Sequence, residues 1–189
     1  MKEFIKNEMM VHVPLCTHKD PKNVLIIGTQ VNKYKDEVSK HNKISASSIS
    51  TSLDEISKLD DNSFDIVICD SFNDLGDDKQ GIALFMSQIN RILKDDGLIN
   101  TLQPNLDDVQ NNKILMGVLG NYFKIIMPYN LGDGTTALLS SKEYHPTADI
   151  NLHRADMLDG LDFYNCDVHP AAFAMGNNIR RAYLGVIRN

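Results

Sequence analysis

Two kinds of segment take turns along the first 140 residues of this chain, and few folds accommodate the alternation. Val24 to Ile27 and Phe64 to Cys69 (FDIVIC) are short apolar runs of the length and character of buried strands. Between them lie a polar helical stretch from Val31 to His41, a run with alternating residues at Lys43 to Ser50 (KISASSIS), and a short helical stretch from Ser52 to Leu59. Ile82, Phe85, Ile89, Ile92 and Leu93 then mark one face of a helix, with Gly97 in KDDG expected as its stop. A strand at Leu98 to Leu102 follows, then an amphipathic helix carrying Val109, Ile114, Leu115, Val118 and Leu119. Further strands are expected at Phe123 to Met127 and Thr135 to Leu139. This order predicts an α/β fold, a doubly wound parallel sheet with helices on both faces.

A chain of 189 residues suits one domain. Residues 1–22 read as an entry helix and linker, 23–143 as the sheet core, and 144–189 as a segment that wraps it. At 42% hydrophobic and 23% charged residues the composition is that of a globular protein. No apolar run reaches the roughly 20 residues of a membrane helix, and MKEFIKNEMM lacks the features of a signal peptide, so a cytoplasmic protein without membrane partners is expected. Cys16, Cys69 and Cys166 are isolated, which argues against a disulfide framework and a thiolate metal site. Cys16-x-His18 is too little for a metal centre, and no metal is expected. A net charge of −6 disfavours nucleic acid and is compatible with a cationic ligand without requiring one.

In a doubly wound sheet ligands sit beyond the carboxyl ends of the strands. Attention therefore falls on Gly28 to Asn32, Ser50 to Ser52, Asp70 to Asp74, Gln103 to Asn105 and Tyr129 to Gly134. An aspartate just after a strand, as Asp70 is, serves either as a catalytic carboxylate or as the cap of a following turn or helix. His12, set among Met10, Val11, Val13 and Leu15, reads as a hydrogen-bonded packing residue.

Two longer stretches carry a resemblance. Asn7 to Gly28 (NEMMVHVPLCTHKDPKNVLIIG) resembles the start of the catalytic domain of spermidine synthases, the polyamine aminopropyltransferases. Tyr144 to Arg180 (YHPTADINLHRADMLDGLDFYNCDVHPAAFAMGNNIR) resembles the C-terminal segment of the same family, and FDIVICDS lies between them where the family has its catalytic aspartate. The resemblance implies a Rossmann-like methyltransferase fold. It also implies transfer of an aminopropyl group from decarboxylated S-adenosylmethionine, as co-substrate, to putrescine or a related amine, with no tightly bound cofactor. Asp70 stands at the position of the family's proton acceptor.

Several matching positions are altered. The family's GGGDGG turn is here Gly28-Thr29-Gln30-Val31-Asn32-Lys33, so that Gly28 remains and Gln30 is a candidate replacement contact. No acidic residue ends a strand between His41 and Phe64, which leaves Ser52 as the nucleoside-side candidate there. That interval is short by one βα unit, and KISASSIS matches either the second or the third family strand. The family's Tyr-His before EMM is Lys6-Asn7, and the second aspartate of its DSxDP loop is Asn73, followed by Asp74, Asp77 and Asp78. Gln103 and Tyr129 each fall within one residue of a family substrate contact. The family's small N-terminal β-domain has no match. Asn7, Asn73, Asp74, Gln103 and Tyr129 are thus the implied amine-binding set. The two readings are a divergent aminopropyltransferase with a degenerate nucleoside site and an inactive homologue that binds a ligand, a second copy or an active paralogue. A different S-adenosylmethionine methyltransferase fits less well, because the same losses would damage its cofactor site.

Overall fold

The computed structural model describes residues 3–71, 79–103 and 105–189. After α1 (Glu3–Thr17), strands and helices alternate as β1 (Asn23–Ile27), α2 (Val31–Ser39), β2 (Ser45–Ile49), α3 (Leu53–Ser57) and β3 (Phe64–Cys69). There follow α4 (Lys79–Ile92), β4 (Leu93–Leu102), α5 (Val109–Leu119), β5 (Ile125–Asn130) and β6 (Thr136–Ser141). Short helices α6 (Leu152–Asp156), α7 (Val168–Ala172) and α8 (Asn177–Ala182) complete the described chain. The strands form one sheet in the order β2-β1-β3-β4-β6-β5, parallel from β2 to β4, with β6 antiparallel to both its neighbours. The mostly parallel, doubly wound architecture expected from the alternation is what forms.

Alternate residues of each strand enter different cores, as a pleated strand requires. Val24, Ile26, Ile66 and Ile68 pack under α1, α2 and the C-terminal segment, while Leu25, Ile27, Val67 and Cys69 pack with α3, α4 and α5. Helix α1 is buried nearly all round, with the sheet on one side and the C-terminal segment over the other. Pro14 lies inside it and cannot donate to the carbonyl of Met10. Asn100 of β4 repairs the gap, its Nδ2 donating to Met10 O at 2.9 Å. Glu8 ties down the C-terminal segment by accepting the amides of Asp162, Phe163 and Tyr164 at 2.8–2.9 Å.

One open reading is resolved and one expectation changes. KISASSIS lies directly beside β1, with Asn23 opposite Ser45, and is the edge of the sheet. It therefore takes the place next to β1, and among the described residues no strand lies outside it. Gly97 does not stop α4, because the helix passes into β4 at Leu93 and KDDG forms an irregular excursion within that strand, between the pairs Phe64–Leu93 and Ile66–Leu98.

Candidate functional site

The chain reverses direction across the sheet between β1 and β3: β2 lies to one side of β1, and β3 and β4 to the other. Such a switch opens a crevice at the carboxyl ends of those strands. Ile27 is paired with Cys69, so Gly28 and Asp70 leave the sheet side by side.

Asp70 is turned onto the β1–α2 connection. Its Oδ1 accepts the Thr29 amide at 2.8 Å and its Oδ2 accepts the Gln30 amide at 3.0 Å, with the Thr29 hydroxyl at 3.4 Å. Helix α2 has Gln30 at its N-cap with no side-chain cap bond. The Asp70 carboxylate instead accepts the two amides that lead into α2, near the positive end of the helix. Gly28 has φ +137°, and a Cβ there would lie 1.6 Å from Asp70 Oδ1. The glycine that survives from the turn therefore makes room for this carboxylate.

One turn into α2, Tyr34 is fully buried, and its hydroxyl makes no hydrogen bond among the described residues. Burial, and then the Asp70 charge, push its phenol well above the ordinary range. Tyr34 is a site residue that sequence reasoning missed. Glu55 is another. It belongs to α3 but returns to the carboxyl end of β2, where its Oε2 accepts the Ser50 amide at 2.9 Å. An acidic group thus stands beside Ser50–Ser52 although the strand itself ends without one. Ser52 is the N-cap of α3 and makes no side-chain cap bond, and the Gln30 side chain is half-buried at the start of α2.

On the other side of the crevice, Gln103 follows β4. Its Nε2 donates to Thr136 Oγ1 at 3.2 Å, whereas its Oε1 is buried without a partner among the described residues. Asn7, in the first half of α1, is 7% exposed, and its Oδ1 also has no partner among the described residues. An ion pair between Lys33 and Glu3 holds the first turn of α1 to the first turn of α2. Tyr129 does not join these residues. It is fully buried against Phe173, taking a hydrogen bond from Asn100 Nδ2 at 2.7 Å, with its hydroxyl 3.3 Å from the Met9 carbonyl. Its place is in the core beneath the site. Asn73 and Asp74, with Asp77 and Asp78, lie outside the described residues.

His12 and His169, away from the crevice, are each held by two hydrogen bonds. His12 is bonded through both ring nitrogens, to His41 and Glu37, each at 2.9 Å. His169 joins the Tyr164 hydroxyl to the Pro146 carbonyl. Among the described residues His18, Asp65 and Asp96 approach one another closely enough to consider a metal. The donor set is poorly suited to one. His18 Nδ1 accepts the Asp20 amide, which leaves the proton on Nε2, the nitrogen that faces the carboxylates, and Lys94 already neutralises Asp65 at 2.7 Å. Cys16 is not a thiolate ligand either, since burial pushes its thiol up to about 11.

Comparison with known proteins agrees with this architecture. Residues 3–54 match the family model of the spermine/spermidine synthase domain. A polyamine aminopropyltransferase of Helicobacter pylori (strain G27) is 27% identical over 218 residues, covering 98% of this chain and 79% of the relative. That alignment is longer than the chain, so the relative carries segments with no counterpart here. The fold matches a spermidine synthase solved with the transition state analogue AdoDATO at a TM-score of 0.82 and 23% identity, covering 95% of this chain and 75% of that one. It matches the spermidine synthase of Thermotoga maritima at 0.79 and 24%, covering 95% and 74%. Over residues 3–54 in sequence, and in fold over most of its length, the chain is similar to spermine/spermidine synthases.

Proposed function

We propose that this spermidine synthase-like protein binds a polyamine and has lost productive use of decarboxylated S-adenosylmethionine. The observation that carries the reading is the closure of the β1–α2 turn by Asp70. Aminopropyl transfer is a displacement beside a sulfonium that requires a neutral amine, and therefore a free base close to it. Here the carboxylate in the catalytic position is engaged by two backbone amides, and it fills the space above Gly28 where a nucleoside would approach. The amine side has the opposite character. The Asn7 and Gln103 side-chain oxygens are buried acceptors to which no group among the described residues donates. An unsatisfied buried acceptor costs about 1–3 kcal/mol, which the N–H groups of an ammonium ion would offset. Such a protein would act through its ligand, or through pairing with a second copy or an active paralogue.

The second reading, a working aminopropyltransferase, is favoured by Glu55, whose carboxylate at the end of β2 offers an acceptor for ribose hydroxyls in place of the missing strand-end acid. Calorimetry separates the two. Spermidine or putrescine is expected to bind, and methylthioadenosine to give no heat at millimolar concentration, with or without amine. Micromolar methylthioadenosine binding that weakens in Glu55→Gln, together with aminopropyl transfer abolished by Asp70→Asn, would replace the first reading with the second.

A further inference from the structure

A separate cleft of about 440 Å³ opens at the amino ends of β1 and β2, across the sheet from Asp70. Lys22 immediately precedes β1, Lys43 and Ile44 immediately precede β2, and Arg154 and Met157 come from α6 and its C-terminal end. Four cations line this cleft, Lys22, Lys40, Lys43 and Arg154, against the single carboxylate of Asp20. Lys22 pairs with Asp20, and Lys40 with Glu37. Arg154 is held by the carbonyls of Leu15, His18 and Lys19, which orient it without neutralising it, and among the described residues neither it nor Lys43 forms an ion pair. In a chain of net charge −6 this is a local excess of positive charge around a concave space of ligand size.

His41 also lines the cleft and supplies the second observation. It is 6% exposed, its Nε2 is bonded to His12, and its Nδ1 is buried with no partner among the described residues. Only one proton can lie between His12 Nδ1 and His41 Nε2. When His12 is neutral its Nε2–H donates to Glu37, so its Nδ1 must accept from His41, which leaves His41 Nδ1 bare. When His12 is protonated it donates through both nitrogens, and His41 Nδ1 carries the hydrogen. The other charged groups around the pair are Glu37 and Lys40 of α2 and Arg154 of α6, with the Tyr164 ring against His12.

We propose that this cleft binds a phosphomonoester dianion, and that binding is accompanied by uptake of one proton on the His12–His41 pair. The lysines and Arg154 supply the attraction, and a dianion seated among them favours the added positive charge of a protonated His12–His41 pair behind the cleft wall. The volume exceeds that of a phosphate, and Ile44 and Met157 offer an apolar wall to an organic remainder.

The test is calorimetry with ribose 5-phosphate and with inorganic phosphate, neither of which carries the nucleoside or amine relevant to the Asp70 site. Ribose 5-phosphate is expected to bind more tightly than inorganic phosphate, and titrations in buffers of different ionisation enthalpy should show proton uptake approaching one per ligand. Tighter binding of inorganic phosphate would overturn the organic part of the assignment. Lys43→Asn and Lys22→Gln, both at exposed positions, should each weaken binding about threefold to fivefold, as expected for partly screened charges. His12→Asn should remove the proton uptake. No binding of either anion at millimolar concentration to folded protein, or binding indifferent to both lysine variants, would overturn the site. Binding without proton uptake would overturn the coupling.

Discussion

At the scale of single residues, Asp70 and Gly28 are one device. The glycine has the backbone conformation that L side chains avoid, and the carboxylate occupies the space its missing Cβ leaves. Gly28→Ala is therefore expected to destabilise the fold by about 2–4 kcal/mol, through strain and collision together. Asp70→Ala should cost about 1–3 kcal/mol for the amides it abandons. In the double variant the collision is gone while the strain remains, so the two costs should fall short of additivity by at least about 1 kcal/mol in urea unfolding. Additive costs would mean that the carboxylate does not sit over the glycine in solution. The sequence left Asp70 open between base and cap of a following turn or helix, and its carboxylate bonds instead to the amides of the preceding β1–α2 connection. Glu55 was hidden because its carboxylate reaches the end of β2 from inside a helix, and rules about strand ends do not look there. Tyr34 was hidden because an aromatic residue in a short polar helix carries no mark of the charge it will face. Asn7 and Gln103 were found through resemblance, but their unpartnered oxygens are a property of packing alone.

Among the elements, α1 shows how a break in one helix is mended by a strand 90 residues away in sequence. Asn100→Leu should destabilise by about 1–3 kcal/mol, since the Met10 carbonyl is then buried without a donor. Adding Pro14→Ala to that variant supplies a helix amide for the same carbonyl and should recover part of the loss, whereas Pro14→Ala alone should gain less. Equal effects of Pro14→Ala in both backgrounds, measured by denaturant unfolding, would sink this account. The same elements show what periodicity conveys. FDIVIC was readable to the residue because a strand buried on both faces is apolar along most of its length, with Asp65 near its start as the exception. The α4 face was readable because Phe85, Ile89 and Ile92 share one side of a helix. KDDG was misread because a glycine after a helical run is the usual stop signal, whereas here the backbone enters the sheet first and then loops out. Antiparallel insertion of β6 between β4 and β5 left no signature, since strand order is a matter of long-range pairing.

For the whole molecule, the buried histidines set how stability responds to acid. Burial, and then the neighbouring His12 ring, hold His41 down to about 3, and burial holds His169 down to about 4. Burial likewise lowers His18. In the unfolded chain each returns to about 6.5, so as the pH falls below that value the unfolded state binds protons that the native state refuses. Stability is therefore fully present above about 6.5 and declines toward the folded values, by up to about 1.4 kcal/mol per pH unit for each histidine. The carboxylates act later. In Asp65 burial works to raise the carboxyl, but Lys94 and the amides of Asn23 and Lys22 outweigh it. In Glu37 bonds from His12 and Lys40 do the same, and both groups are held below the usual range. Their stabilisation is lost only as the pH falls below about 4.5, the ordinary carboxylate range. Between pH 6.5 and about 4.5 the slope should belong to the histidines. Urea unfolding in phosphate-free buffer is expected to show falling stability across that interval. His169→Asn should flatten the curve even though its absolute stability is lower, because a slope counts protons and not contacts. A profile level from pH 7.5 to about 4.5, or one whose slope is unchanged in His169→Asn and His41→Asn alike, would mean that these rings are not held neutral by the fold.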